Sequence, residues 1–304
     1  MKIRIPARID APETQLYIEI MSQRDNIDNL VKNRSVMILV PGGPGGNHSV
    51  YNEIKLEFNK FADLILFDPR GCGYSDSSAP EFCTIHHYIN DIEAIRAYYN
   101  LPKIVLYGGS YGSMAAIGYA IQHQETLEKL ILSGGSPSFR FIDLARGNLR
   151  AIGTPEQIKA GDILFSGGFK NPEEFAHFYQ LLAPLYSFHR NDADTVPTTK
   201  SNIPYNIAVT NLGFGNFLRK FNFEPDLQKI SCETLIIFGQ NDWINDPSLA
   251  VLLAEKIPNS KLVLLDECGH FIWRDQRDKY FTEIGDFLSV YNDNAQTLSS
   301  IIKI

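Results

Sequence analysis

No long hydrophobic run occurs anywhere in these 304 residues. The longest apolar strings, such as 36–40 and 64–67, are strand-sized, far short of the roughly 20 apolar residues that a membrane-spanning helix needs. The first residues, Met1 to Glu13, hold no apolar stretch of the kind a secretory leader carries. Cysteine is scarce: Cys72, Cys83, Cys232 and Cys268 show no CxxC spacing. That excludes a dense disulfide framework and leaves reduced thiols in a cytoplasmic setting as the expectation. Positive charge is also short, with 28 Lys and Arg against 35 Asp and Glu, a net charge of −7. A general electrostatic grip on nucleic acid or an anionic membrane is therefore not expected. The seven histidines are scattered, so no metal-binding tract is indicated, and there is no internal repeat or low-complexity segment.

What remains is an ordinary globular composition, 44% hydrophobic and 21% charged. The chain is long enough for one large domain, or for a core domain with an insertion, and buries its apolar surface without staples. Two short strand-like runs, 2–5 and 16–21, open it. Continuous apolar runs then recur at 35–40, 64–67, 103–107, 129–133, 234–238 and 261–265. Such runs read as strands covered on both faces. Helix-like stretches at 87–99, 111–122, 247–255 and 277–291 separate them, which predicts an α/β fold with a mostly parallel central sheet.

One interval breaks the alternation. Residues 137–229 carry no buried-strand run but are rich in Phe, Tyr, Leu and Asn, with a helical patch at 172–186. The return of strand pattern at Thr234 favours a mainly helical insertion over an independent second domain. The expected division is a core of 1–136 and 230–304 with a helical cap of 137–229.

The sharpest chemical signal is Gly108-Gly109-Ser110-Tyr111-Gly112, a G-x-S-x-G set between an apolar strand and a helical run. A nucleophile on so tight a turn needs small neighbours two residues away, which Gly108 and Gly112 supply. It also stands at a helix N-terminus, where free N–H groups favour developing negative charge. Serine is a weak nucleophile and needs a base. Beyond the following helix lie His177, His189 and His270. The first two fall in the insertion, whereas His270 follows the last strand. An acid is expected after the preceding strand, to hold the imidazole tautomer. Asp242, three residues past Gly239, is favoured, and its rival Asp246, just before Pro247, reads as a helix N-cap.

An acyl-transfer site also needs donors for an oxyanion. Pro41-Gly42-Gly43-Pro44-Gly45-Gly46 follows the strand at 35–40. Pro44 has no N–H, so the backbone N–H of Gly43, paired with that of Tyr111, is the expected oxyanion hole. The spacing is not the G-x-G-x-x-G of a dinucleotide loop. A second glycine-containing loop, 67–76, offers Asp68 and Arg70 as a buried ion pair bracing the first. Cys72 and Cys268 are expected to be buried; with no second base in view, Cys268 is not expected to be a nucleophile.

Together these motifs resemble the prolyl aminopeptidase (proline iminopeptidase) branch of the α/β-hydrolases, which includes the tricorn-associated aminopeptidases. The resemblance rests on 42–46, on Asp68-Pro69-Arg70-Gly71-Cys72-Gly73-Tyr74-Ser75, on 108–113, on Gly239-Gln240-Asn241-Asp242 and on Gly269-His270. It covers about residues 30–137 and 230–290. It implies the α/β-hydrolase fold, the triad Ser110, Asp242 and His270, the oxyanion donors Gly43 and Tyr111, and a helical cap. The implied activity is a serine hydrolase working through an acyl-enzyme, an aminopeptidase releasing N-terminal proline or small apolar residues. The alternative is an ester or lactone hydrolase with the same triad; a silent binding protein on the scaffold is disfavoured because every element is present. The expected partner is a small molecule or short peptide, with no cofactor or metal, since the intermediate is stored on Ser110.

Two departures stand out. Pro41 takes the place where the branch has histidine. Relatives in the branch anchor the substrate amine with cap glutamates, yet Glu156, Glu173, Glu174 and Glu224 are the only glutamates in 137–229 and none has matching flanks. Glu173, Glu174 and Glu224 are the candidate substrate-binding residues.

Overall fold

The computed structural model describes residues 1–22, 34–189 and 203–301. Eight strands form one sheet in the order β1-β2-β4-β3-β5-β6-β7-β8: β1 (Lys2–Ile5), β2 (Thr14–Met21), β3 (Val36–Val40), β4 (Asp63–Phe67), β5 (Ile104–Gly109), β6 (Leu127–Ser133), β7 (Glu233–Gly239) and β8 (Ser260–Leu265). The two N-terminal strands pair antiparallel, β1 with β2 and β2 with β4. All remaining pairs, from β4 through β8, are parallel.

Parallel strands need crossovers, and these are helical: α1 (Lys55–Phe58), α2 (Ile85–Tyr98), α3 (Tyr111–Gln122), α4 (Phe141–Ile152), α5 (Pro155–Ser166), α6 (Pro172–Tyr186), α7 (Ile207–Gly215), α8 (Pro247–Lys256), α9 (Ile272–Asp275) and α10 (Arg277–Ile301), besides several short 3₁₀ turns. The sheet is covered on both faces. Val36, Ile38 and Val40 belong to the core cluster shared with α2, α3 and α8. Met37 and Leu39, alternate residues of the same strand, belong to the cluster holding Phe58, Ile272, Tyr280 and Ile284. Burying each such side chain contributes roughly 1.5–3 kcal/mol, so the unbroken apolar runs are the main source of the sheet's stability.

The interval between β6 and β7 supplies α4 to α7 and, among its described residues, no strand. Its helices begin on sequence signals. Thr154 and Gln157 form a reciprocal capping box ahead of α5, Asn171 caps α6 through Glu174 N, and Asn206 caps α7 through Val209 N. Among the described residues no helix is long and apolar enough to cross a membrane.

The chain ends just after β3, β5, β6, β7 and β8 meet at the carboxyl edge of the sheet, where open α/β sheets place their ligands. A buried chain of hydroxyls fixes that edge. Tyr107 Oη and Tyr280 Oη lie 2.6 Å apart, and Tyr280 Oη donates to Ser133 Oγ at 3.1 Å, tying α10 to β5 and β6.

Candidate active site

Ser110 joins β5 to α3 with φ 56° and ψ −121°, a region that a non-glycine residue occupies only when its surroundings enforce it. The enforcement is visible on both sides. A Cβ at Gly108 would strike the Gly112 carbonyl, and one at Gly112 would strike the Val40 carbonyl. Ser110 N–H donates to the Ser133 carbonyl at 2.8 Å, and Ser113 Oγ donates to the Gly108 carbonyl at 2.6 Å. The turn thus presents Ser110 at the N-terminus of α3, on the wall of a cavity.

Asp242 follows β7 and is buried. Its Oδ1 accepts the backbone N–H groups of Ile244 and Asn245, each at 3.0 Å. Its Oδ2 lies 2.6 Å from His270 Nδ1. A carboxylate only accepts, so Nδ1 carries the proton and Nε2 is the basic nitrogen. His270 lines the same cavity as Ser110. Its loop is held by Phe271 N–H donating to the Tyr186 carbonyl at 2.9 Å and by Gly269 N–H donating to Asp275 at 2.8 Å. The Tyr186 ring packs edge-on against the imidazole, with centroids 5.7 Å apart. Asp246 does something different: it caps α8 through Ser248 N–H and accepts Asn148 Nδ2 at 2.9 Å. His177 and His189 are exposed and line no part of this cavity.

The glycine loop after β3 forms another wall, with Gly42, Gly43 and Pro44 facing the cavity. Among the described residues, neither the Gly43 nor the Tyr111 backbone N–H donates to another protein atom. The start of the loop is held from both faces of the sheet. Tyr51 Oη donates to the Val40 carbonyl at 2.5 Å, and Tyr88 Oη donates to the Pro41 carbonyl at 2.9 Å.

The expected ion pair between Asp68 and Arg70 does not form. Arg70 instead makes a bidentate contact with buried Asp91, at 2.8 and 2.7 Å. Asp68 pairs with His48 Nδ1 at 2.6 Å and accepts the N–H groups of His48 and Tyr74. Asp68 is already filled by one imidazole and two backbone N–H groups, while Asp91 on α2 offers Arg70 a buried carboxylate in bidentate geometry. Cys72 and Cys268 are buried.

The cavity encloses about 900 Å³ including its open mouth. Beyond the residues above, Tyr51, Phe175, Tyr179, Tyr205, Thr210, Phe214 and Trp273 surround it. Of the insertion's aromatics between positions 165 and 188, Phe175, Tyr179 and Tyr186 reach the cavity. Phe165, Phe169 and Phe178 pack within the core, and Phe188 is exposed. Burial pushes the Tyr205 hydroxyl up to about 12 and that of Tyr179 well above its ordinary value, so both stay neutral donors near pH 7.

None of the three candidate glutamates lines the cavity. Glu174 accepts the Lys170 N–H at the start of α6, beside exposed Glu173. Glu224 accepts Ser138 Oγ at 2.5 Å and lies 3.4 Å from Arg140. Glu174 and Glu224 are thus taken up by capping or pairing at helix ends, and Glu173 faces solvent. Tyr51, Tyr205, Thr210 and Phe214 carried no signal in the sequence, because their positions depend on how separate elements meet. Among the described residues no cluster of His, Cys, Asp and Glu is arranged to hold a metal ion.

Comparison with known proteins agrees with this architecture. A profile of the alpha/beta hydrolase fold matches residues 35–273. A curated proline iminopeptidase of Saccharolobus solfataricus is 30% identical over 280 residues, covering 85% of this chain and 86% of that one. Proline iminopeptidase PfmaB of Pestalotiopsis fici is 29% identical over 268 residues, covering 83% and 91%. The crystal structure of a Mycobacterium smegmatis proline iminopeptidase superposes with a TM-score of 0.71 at 18% identity, covering 97% of this chain and all of that one (100%). With the profile spanning most of its length and the curated relatives aligned nearly end to end, the chain belongs to the alpha/beta hydrolase fold family, in the branch of the proline iminopeptidases.

Proposed function

We propose that this hydrolase works through an acyl-enzyme on Ser110, and that it is an aminopeptidase releasing N-terminal proline or a small apolar residue. Residues 1–136 and 230–304 form its catalytic core and 137–229 its cap. The observation that carries the reading is the Asp242–His270 contact of 2.6 Å, with His270 lining the same cavity as a serine held at φ 56°. His270 Nε2 takes the Ser110 hydroxyl proton as Oγ attacks the substrate carbonyl carbon. The Gly43 and Tyr111 N–H groups receive the oxyanion at the N-terminus of α3, where the helix dipole adds to their pull. His270 then gives its proton to the leaving amine. Water, activated by the same imidazole, hydrolyses the ester and restores Ser110. The aromatic cavity suits a pyrrolidine ring, and the names of the curated relatives support proline as the residue released.

The absence of any carboxylate from the described cavity lining favours a second reading. A substrate ammonium would meet phenols and aromatic faces but no counter-charge, whereas an uncharged ester or lactone needs none. Labelling with a fluorophosphonate is expected on wild-type protein and lost in Ser110→Ala. Turnover of proline-linked chromogenic amides is expected beside short acyl esters. Rapid ester cleavage with no amide cleavage would exclude the peptidase and leave the esterase.

A further inference from the structure

Gly43 lies in the middle of a span whose carbonyls are held from two directions. Those of Val40 and Pro41 are held by the core phenols of Tyr51 and Tyr88. Those of Pro44 and Gly45 are held by α7. Thr210 Oγ1 donates to the Pro44 carbonyl at 2.8 Å, and Asn206 N–H donates to the Gly45 carbonyl at 2.9 Å. Asn206 Nδ2 also donates to the Gly71 carbonyl at 2.6 Å, so the same residue joins the glycine loop to the 67–76 loop. The packing leaves no slack: a Cβ at Gly213 would strike the Pro44 ring, and one at Gly45 would strike Asn206 and Thr210.

The same helix walls the cavity. Thr210 and Phe214, four residues apart and so on one face, both line it. At its middle α7 is clamped by Asn211, whose Nδ2 donates to the Phe169 carbonyl at 2.7 Å and whose Oδ1 accepts the Phe169 N–H at 3.1 Å. A stiff element thus touches the acyl-binding space on one face and the oxyanion loop through its first turn.

We propose that Thr210 is a positioning residue that couples filling of the cavity to the aim of the Gly43 N–H. An acyl group packed on Phe214 holds α7 against the loop, and the hydroxyl of Thr210 passes that restraint to Pro44. Binding energy from a non-reacting part of the substrate then appears as faster acylation rather than tighter binding. The inference rests on the acyl-enzyme reading of Ser110.

The test compares 4-nitrophenyl acetate with 4-nitrophenyl cyclopentanecarboxylate on wild type, Thr210→Val and Thr210→Ser. Thr210→Val keeps the shape and removes the hydroxyl. On the cyclopentane ester it is expected to lower kcat about tenfold with KM within about twofold, a misaimed oxyanion donor being costly in rate. On the acetate kcat should fall by less than about threefold, because a small acyl group leaves α7 unloaded. Thr210→Ser should restore the wild-type ratio. Gly213→Ala, which pushes α7 off Pro44 with the hydroxyl intact, should repeat the Thr210→Val pattern, and it carries the test should Thr210→Val fold poorly. Equal loss on both esters, or a change confined to KM, overturns the coupling. Fluorophosphonate labelling separates the two claims. No label on wild-type Ser110 removes the acyl-enzyme reading as well, whereas a labelled wild type with an unchanged ester ratio in both variants removes the coupling alone.

Discussion

His48 and Asp68 form a second buried histidine–aspartate pair, with Nδ1 and Oδ1 2.6 Å apart, the same separation as between His270 and Asp242. Distance alone therefore does not mark the reactive pair; surroundings do. His270 lines the cavity with Ser110. His48 turns its Nε2 toward Glu19, 3.7 Å away, and packs between the rings of Tyr17 and Tyr74. Asp68 also accepts two backbone N–H groups, which makes this pair a fastener between the segment after the glycine loop and the loop after β4.

The two aspartates should separate cleanly when each is replaced by asparagine. Asp242→Asn leaves the fold in place but misorients the imidazole, and kcat should fall by about 10⁴ with the melting temperature little changed. Asp68→Asn breaks a buried hydrogen-bonded pair and should lower stability by about 1–3 kcal/mol, with a smaller loss of kcat. Denaturant melts read beside esterase assays check both. A stable Asp242→Asn that keeps wild-type kcat would remove Asp242 from the triad.

The elbow around Ser110 makes a second prediction. Gly112→Ala puts a methyl group onto the Val40 carbonyl, where the obstacle is backbone and cannot swing aside. Relief requires β3 and α3 to part, which moves the glycine loop after β3 as well as Ser110. A loss of about 2 kcal/mol or more is expected, in line with overpacking of a rigid site, together with fluorophosphonate labelling slowed by at least about 100-fold. Gly147→Ala, at an exposed position of α4 with nothing near its added Cβ, is the control: it should leave labelling unchanged and, if anything, raise stability by up to about 1 kcal/mol, the preference of a helix for Ala over Gly. Wild-type labelling in Gly112→Ala would show that the close approach is dispensable.

Much of this site was legible before any coordinates, and for a physical reason. Ser110, Asp242 and His270 each follow a strand of continuous apolar residues, so their position at one sheet edge is a consequence of local pattern. Both ends of β3 and the whole of α3 and α6 lie within a residue of their sequence-based bounds. The cavity wall was not legible. Thr210 and Tyr205 lie in a stretch with no strand rhythm, and their facing depends on how α7 docks on a loop more than 150 positions earlier. The pairing of Arg70 was likewise hidden, since Asp91 sits on α2 at a distance that only the crossover sets.

The cysteines supply a chemical prediction. Burial pushes the thiols of Cys72 and Cys268 far above their ordinary value, and those of Cys83 and Cys232 upward. A raised thiol pKa leaves little thiolate at neutral pH, and the thiolate is the reactive form. Iodoacetamide at pH 7.5 should therefore leave activity intact over an hour, with alkylation of all four positions only after unfolding. Intact-mass analysis read beside activity checks this. Rapid inactivation that tracks one label on Cys268, two residues from His270, would mean that the loop opens in solution.

Asp246 gives a prediction with a definite sign in pH. Burial opposes its ionisation, but hydrogen bonds from Ser248 and Asn148 outweigh that and hold its carboxyl below the usual 3.8. A carboxyl whose folded pKa is depressed contributes stability that is fully present above the unfolded value. That contribution is lost as pH falls through the folded one. Asp246→Asn can still cap α8 through its side-chain oxygen, yet it has no charge to lose. Above about pH 5 the variant should be less stable than wild type by about 1 kcal/mol or less, the range of a helix cap and its dipole contact. As pH falls below the usual carboxylate value the gap should narrow, because wild type increasingly binds the proton that asparagine never carries. Activity at pH 7 should stay within about twofold, since Asp246 faces Asn148 and α8 rather than His270. A gap that stays constant from pH 7 down to acid unfolding would show that the Asp246 charge does not feed stability, and a large loss of kcat would place Asp246 in the proton relay instead.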